Sequence, residues 1–491
     1  MYHASRLGLQ ADSAATVAAA AGRSVLTRFW TAAACIILVA LATTVIPAQA
    51  RNGKDWQPVV FVHGQSGSAQ QFETQAMRFT SNGYPQELLF AFEYDTSSRT
   101  NPLADLDLFL DAVLAATGAG QVHAIGHSRG TSVWTAYLDD PSFGGAAKVA
   151  RYVNIDGRSP EELPGGVPTI GIWGEWNTAG SGYNRRGDTN AQIGPDPADN
   201  FYFGGKSHTE VATSAEAFAL MYEFFTGDAP VTTDVVPEPP GQVEVKGRAV
   251  IFPDNIGFDG GTVEVWRVDA ATGHRISKQP GAVYAIDASG DFGPVKLNGR
   301  KHYEFALTRP ATALVPFETV HHFYPEPFSR SDYFLRLQSS RPGESLEAFI
   351  PDSPTSTNLV ISRQREFWGD QGDDSDRLLV DGLDIVTPTI SPRVGVNLAV
   401  FAYDEGLDGI TDLDKGELFP FNFLAFLTAA DVATPASPDA SGRVSVTDIT
   451  RGSGNATEIN VPNWPSTTDR VTVQFRDDEQ QDQVFPPGGR D

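Results

Sequence analysis

Between residues 58 and 227, short unbroken apolar runs alternate with segments whose apolar residues recur every three to four positions. Pro58–Val62 (PVVFV) is such a run, closed by Gly64. A strand covered on both faces needs no polar alternation, so this run predicts a buried parallel strand. Gln121–Gly126, Val149–Ile155 and Thr169–Trp173 read the same way. Leu103, Leu106, Leu110 and Val113 share one helical face. Asn101 and Pro102 open that helix as cap and first-turn residue, and Gly118 stops it. Val133 with Tyr137, and Trp134 with Leu138, mark a second helix. Thr213 and Glu216 form a capping box ahead of Phe218, Met221, Tyr222 and Phe225 on one face. The alternation predicts an α/β domain, a mostly parallel sheet flanked by helices.

The period changes beyond residue 227. Asp228–Gly241 (DAPVTTDVVPEPPG) is Pro-rich and has no periodicity, which marks a boundary. Val243–Phe252, Thr262–Val268, Tyr303–Leu307, Tyr333–Leu337, Val396–Phe401 and Arg470–Phe475 are short alternating runs between Gly, Pro and Asp. They predict an all-β sandwich or barrel. The chain therefore divides into 1–50 ahead of the fold, 51–230 as the α/β domain, 231–241 as linker, 242–477 as the β-domain, and 478–491 as a disordered tail.

Residues 29–46 (FWTAAACIILVALATTVI) carry no charge, follow Arg6, Arg23 and Arg28, and precede Ala48-Gln49-Ala50. That order predicts a secretory leader cleaved near Ala50 and a secreted or extracytoplasmic product. A retained membrane anchor is the alternative, since the apolar run just reaches across a bilayer. Cys35, the one cysteine, lies in this run, so a disulfide scaffold and a cysteine-based zinc site are excluded. The 491-residue chain has 41% hydrophobic residues, enough for a real core, and a formal net charge of -25. Such a surface repels phosphate backbones, which excludes nucleic acid as a partner. No partner protein and no oligomeric state are readable.

The sharpest chemical signal is Gly126-His127-Ser128-Arg129-Gly130, a G-x-S-x-G between a predicted strand and a predicted helix. The glycines let the chain turn sharply, so the Ser128 hydroxyl stands clear of the sheet as a nucleophile. Its base is His208, the one histidine between Ser128 and the linker. Asp156 and Glu175, each at the end of a predicted strand, are the candidate acids, in the chain order Ser, acid, His. Two backbone N–H groups are needed for the oxyanion. They are assigned to Arg129, after the nucleophile, and to Gln65 in the His63–Gly67 loop after the first strand. This chemistry needs no metal and no organic cofactor.

The stretches PVVFVHGQSGSAQQFETQAMRF (58–79), NGYP (82–85), FEYDT (92–96), IGHSRGT (125–131), VNIDG (153–157), SHTEV (207–211) and TTDVVP (232–237) resemble the α/β-hydrolase lipases and carboxylesterases. The resemblance is to archaeal-type two-domain lipases with a C-terminal β-domain, and it extends weakly through HHFYPEPFSRSDYF (321–334). It implies an ester or lipid substrate, a β-domain that helps bind apolar substrate, and an acid in the Asp-Gly after the nucleophile helix, hence Asp156. Two departures stand out. Related lipases often carry Met where Arg129 stands, which puts a cation at the expected site mouth. The segment from FEYDT to GHSRG holds one amphipathic helix, where such lipases can carry a long helical lid. Polyester hydrolase and peptidase are alternatives on the same triad. A non-catalytic surface or adhesion protein is the rival from another class.

Two further segments have double readings. Asp404, Asp408, Asp412, Asp414 and Glu417 form either a solvated acidic loop or a Ca²⁺ site, although the EF-hand spacing is not met. The Gly174–Asn200 loop, with Trp176, Tyr183, Arg185 and Arg186, is either a wall of the acyl pocket or an ordinary surface loop.

Overall fold

The computed structural model describes residues 56–176, 192–196 and 199–477. The leader, Cys35, Tyr183, Arg185, Arg186 and the 478–491 tail lie outside the described residues. The first sheet has six parallel strands: β1 (Val59–Val62), β2 (Leu89–Phe92), β3 (Val122–His127), β4 (Val149–Ile155), β5 (Thr169–Trp176) and β6 (Asn200–Ser207), in the order β2-β1-β3-β4-β5-β6. The helices are α1 (Glu73–Ser81), α2 (Leu103–Thr117), α3 (Arg129–Asp139), α4 (Gly145–Lys148), α5 (Glu210–Thr213) and α6 (Ala215–Thr226).

The unbroken apolar run of β1 follows from its position. Val59 and Phe61 join a core under α1 and α6 with Phe72, Phe79, Phe218 and Phe225. Val60 and Val62 point the other way, to Leu106 and Leu110 of α2 and to Val133, Trp134 and Tyr137 of α3. A strand between two cores has no face for polar residues. Helix α2 is thus a covering layer of the sheet rather than an appendage. No helix of the described residues is long and apolar enough to cross a membrane.

Both predicted helix starts need correction. The Asn101 side chain does not cap α2; its amide donates to the Ser132 carbonyl at 3.4 Å, and Pro102 occupies the cap position. Ser214, not Thr213, caps α6, with its hydroxyl accepting from Ala217 N at 3.2 Å. Thr213 belongs to α5, one residue too early for the box. The strand expected from Val396 begins at Ala399, because Val396 sits at a φ of 52° after a 3₁₀ turn, incompatible with extended pairing.

The β-rich region is larger in plan than one sandwich. An eight-stranded mixed sheet is faced by a four-stranded sheet (243–251, 256–257, 291–297 and 332–339) and by another (377–380, 383–384, 443–449 and 456–462). Two large cores result, besides a smaller cluster around Tyr403 and Phe421. One gathers Val245, Phe305, Phe323 and Leu335, and the other Leu359, Val400, Val446 and Val473. The large sheet is continuous through both, because Asp469–Gln474 pairs in parallel with Thr319–Pro325 and with Leu359–Ser362.

The two regions are joined by charge as well as by packing. Phe334 enters the α1/α6 core, in edge contact with Phe61 at 5.6 Å. Glu93, just after β2, receives Arg336 at 2.8 Å and Arg248 at 2.5 Å from the β-rich region. Burial alone would push the Glu93 carboxyl up, but the two guanidinium groups outweigh it and hold it well below the usual carboxylate range. Removing one partner of a buried charge cluster leaves the others uncompensated. Glu93→Ala is expected to cost about 3–5 kcal/mol, read from the urea midpoint; an unchanged midpoint would contradict the role given to this cluster.

Four histidines are buried as neutral rings. Desolvation lowers His63 to about 4 and His123 to about 3, and drives His127 and His321 well below the ordinary 6.5. Between those values and 6.5 the unfolded chain binds protons that the folded one refuses. Their stabilisation is therefore complete above pH 6.5 and is lost as the pH falls through the folded values. His322 runs the other way. Burial lowers it, yet Asp469 and Glu304 outweigh that and raise it, so its contribution is lost as pH rises. Desolvation lowers His302 as well, so among the histidines five against one set the sign, opposed by the carboxyls of Glu73, Asp332 and Asp448 that burial raises. The urea midpoint should fall steadily from about pH 6.5 to pH 4, and a flat profile there would refute the assignment.

Candidate active site

The G-x-S-x-G motif turns β3 into α3 at Ser128, whose φ of 52° and ψ of -119° lie outside the regions open to ordinary residues. Its amide donates to Ile155 O at 2.9 Å, and its carbonyl accepts from Thr131 N at 3.1 Å and Thr131 Oγ1 at 2.6 Å. The flanking glycines are required by contact. A Cβ on Gly130 would lie 2.2 Å from the Val62 carbonyl oxygen, and one on Gly126 2.8 Å from Trp134. The strand and helix can cross this closely only without side chains at both places. Ser128 is half-buried, whereas His127 before it is buried.

Asp156 directly follows the C-terminal end of the neighbouring strand, β4, where His127 and Ile155 are in register. It is fully buried, and its Oδ2 lies 2.5 Å from His208 Nδ1. Its Oδ1 accepts from Gly174 N at 3.2 Å, which fixes the carboxylate plane. Glu175, the other candidate acid, accepts from Gly205 N at 2.6 Å in an exposed position. Of the two, Asp156 is the carboxylate brought to His208. The bond at Nδ1 places a proton there and leaves Nε2 as the basic nitrogen. His208 itself follows β6 and is buried.

The His63–Gly67 loop packs against the Ser128 turn. A Cβ on Gly64 would meet Ser128 Cβ at 3.0 Å. Arg129 does not project a cation into the mouth. Its guanidinium donates to Gln65 Oε1 at 2.7 Å, Thr96 O at 2.8 Å and Ser98 O, and lies 5.3 Å from the centre of the Tyr94 ring. Gln65 Nε2 donates to the same Thr96 carbonyl at 2.6 Å. The two residues named for the oxyanion are thus tied to each other through their side chains. Among the described residues, neither of their backbone N–H groups donates to a protein acceptor.

Sequence reasoning missed what holds these parts together. Gly64 N donates to Gln71 Oε1 at 3.3 Å, Gln71 Nε2 meets His127 Nδ1 at 2.5 Å, and His127 Nε2 meets His208 O at 2.9 Å. A neutral His127 fits this chain, accepting at Nδ1 and donating at Nε2. Burial, and then the neighbouring His208, keep it neutral. Asn255, from the β-rich region, donates to Gly67 O at 2.9 Å and Tyr94 O at 3.1 Å. Gln71 and His127 lie inside the motif stretches and were open to suspicion. Asn255 gave no signal.

The acidic residues of the 404–417 segment make local hydrogen bonds and ion pairs. Asp404 accepts from Asp408 N at 3.1 Å and Gly409 N at 2.8 Å, Asp412 accepts from Asp414 N, and Lys415 bridges Glu405 and Asp431. Glu417 accepts from Thr428 Oγ1 at 3.1 Å. Among the described residues no three His, Cys, Asp or Glu side chains are grouped as metal ligands would be. Of the Gly174–Asn200 loop, Trp176 ends β5, opposite Ser207 of β6.

Comparison with known proteins matches the family described as Lipase (class 2) over residues 56–138, the Lipase C-terminal domain over 241–342, and a further C-terminal domain over 345–479. The region read from sequence as a single β-domain is thus covered by two family models. Solved structures similar to part of the chain include Bacillus licheniformis lipase BlEst2 in its mature form, at 16% identity over 35% of this chain and 92% of that one, TM-score 0.27. Aspergillus fumigatus lipase B is 16% identical over 37% of this chain and 55% of its own, TM-score 0.28. Carboxylesterase CesB of Bacillus subtilis is 12% identical over 36% of this chain and 86% of its own, TM-score 0.26. The Ser128 turn thus lies in a segment that matches class 2 lipases, and that segment is followed by one that matches the lipase C-terminal domain and by one that matches a further C-terminal domain.

Proposed function

We propose that this protein is an exported serine carboxylester hydrolase acting on lipid or other apolar esters. The observation that carries the reading is the buried Asp156–His208 hydrogen bond at 2.5 Å beside the strained Ser128 turn. Ser128 Oγ attacks the ester carbonyl while His208 Nε2 takes its proton. Asp156 holds the imidazole in that tautomer and stabilises the imidazolium. The backbone N–H groups of Gln65 and Arg129 receive the oxyanion, and the guanidinium clamp keeps them in place before charge develops. The alcohol leaves with the proton from His208. Water, deprotonated by the same histidine, then hydrolyses the acyl-enzyme. The apolar run 29–46 followed by Ala48-Gln49-Ala50 supports export with cleavage near Ala50.

Ser128→Ala and His208→Ala should each lower kcat on p-nitrophenyl butyrate by at least about 10⁴-fold, because triad members act as a unit. A fluorophosphonate should label the wild type and not Ser128→Ala. Asp156→Asn should lose nearly as much as the alanine variants, and Glu175→Gln less than about threefold. Turnover retained in Ser128→Ala, or the reverse order of the two acids, would overturn the assignment.

Helix α2 packs Leu106, Leu110 and Val113 into the sheet core, which makes it a poor candidate for a mobile cover. Soluble short-chain esters should therefore be hydrolysed below their solubility limit, with rate saturating smoothly. A jump in rate only on emulsification would show that a cover operates.

A further inference from the structure

His208 sits in the short connection from β6 to α5, where regular pairing has ended. The N–H groups of Thr209 and Glu210 stand at the start of a four-residue helix and have no acceptor within it. Glu210 N is shared between the Ser207 hydroxyl, at 3.3 Å, and a carboxylate from the far β-rich region, which also takes Thr209 N. Glu366 Oε1 accepts from Thr209 N at 2.7 Å, and Oε2 accepts from Glu210 N at 3.3 Å and from the Ser207 hydroxyl. One carboxylate therefore grips the chain on both sides of His208.

The grip is itself rigid. Glu366 is fully buried, and its carbonyl accepts from Arg363 Nη2 at 2.7 Å and from Arg451. The next residue, Phe367, donates its N–H to Asn397 O at 2.9 Å. Glu210, on the hydrolase side, is paired with Arg365 at 3.1 Å and Arg451 at 2.9 Å. Burying a carboxylate among backbone groups is a costly way to make an interface, because apolar contact would serve adhesion as well or better. What a carboxylate adds is direction, through charge-assisted hydrogen bonds to fixed N–H groups.

We propose that Glu366 is a positioning residue for the general base, so that the 345–479 region forms part of the catalytic apparatus. This rests on the reading of His208 as the base. Asp156 orients the ring and His127 holds the His208 carbonyl. Glu366 fixes the peptide that follows His208 and the Ser207 side chain that precedes it, which limits how far the imidazole can drift from Ser128. Displacements of about 1 Å in a catalytic group cost on the order of a hundredfold in rate. Glu366 is fully buried and so offers substrate no surface, which puts the loss on kcat rather than KM.

The test compares Glu366→Ala and Glu366→Gln with Arg330→Ala in the full chain. Arg330 joins the same two regions through Thr80, and none of its contacts reaches the site. Each variant is measured by thermal melting and by steady-state kinetics on p-nitrophenyl butyrate per folded molecule. Arg330→Ala should lower the melting temperature and leave kcat unchanged. Glu366→Ala should lower kcat by about 30- to 100-fold with KM within about twofold. Glu366→Gln, which keeps one oxygen for Thr209 N–H, should recover to within about tenfold of wild type. If Glu366→Ala does not fold, the near-isosteric Glu366→Gln decides. A kcat at least about fivefold down at unchanged KM supports the proposal, and a wild-type kcat overturns it. A folded Glu366→Ala with kcat within about threefold of wild type also overturns it, as does failure of both variants to fold. Absence of fluorophosphonate labelling at Ser128 in the wild type would instead overturn the hydrolase reading on which the proposal stands.

Discussion

The site is organised around one unfavourable backbone conformation. A serine at a φ of 52° costs about 1–3 kcal/mol and persists only where its surroundings leave no alternative. Here Ile155 O holds the Ser128 amide, Thr131 holds its carbonyl by two bonds, and close crossing at Gly126 and Gly130 locks strand against helix. Relaxing the turn would withdraw the hydroxyl toward the sheet and pull α3 away from β1. The loop at Gly64, which rests on the Ser128 side chain, would lose its support as well.

Much of this was legible in local sequence. The apolar run of β1, the helix faces of α2 and α6, and the Ser128 turn all depend on neighbours a few residues away, which periodicity and motif reading capture. The one-residue error at Ser214 arose because Thr213 is equally suited chemically. What decides between them is that α5 already uses Thr213. Gln71 was visible as a letter in a motif but not as a bridge, since its two partners come from different strand ends. Glu366 and Asn255 were beyond reach. Each meets the site across more than a hundred residues of chain, and no spacing rule ties them to it.

The β-rich region touches the hydrolase domain on both sides of Ser128. Asn255 fastens the loop that carries Gln65, and Glu366 fastens the connection that carries His208. Between them, Arg129 clamps Gln65 from the helix side. In the proposed mechanism a strained nucleophile gains nothing if its partners wander, and the contacts that hold the Gln65 loop and the His208 connection come from outside the α/β layers. That arrangement accounts for the polar character of the contact between the regions, where the side chains of Glu93, Glu210, Arg336 and Arg451 are buried in addition to apolar ones.

The strand Asp469–Gln474 lies in the middle of the eight-stranded sheet, flanked on both sides by strands that precede it in the chain by more than a hundred residues. During synthesis its two neighbours emerge first, each with an open hydrogen-bonding edge that waits for the same keystone. Pairings of such long sequence separation close late and slowly. Exposed strand edges in the interval invite association with other chains. The anchor at Glu366 sits just beyond one of those waiting strands, Leu359–Ser362. Seating of the connection that carries His208 is thereby coupled to arrival of the last described strand: the Ser128 turn is held by contacts within the α/β layers, but the Glu366 contacts to Thr209 and Glu210 come from the region that this strand completes.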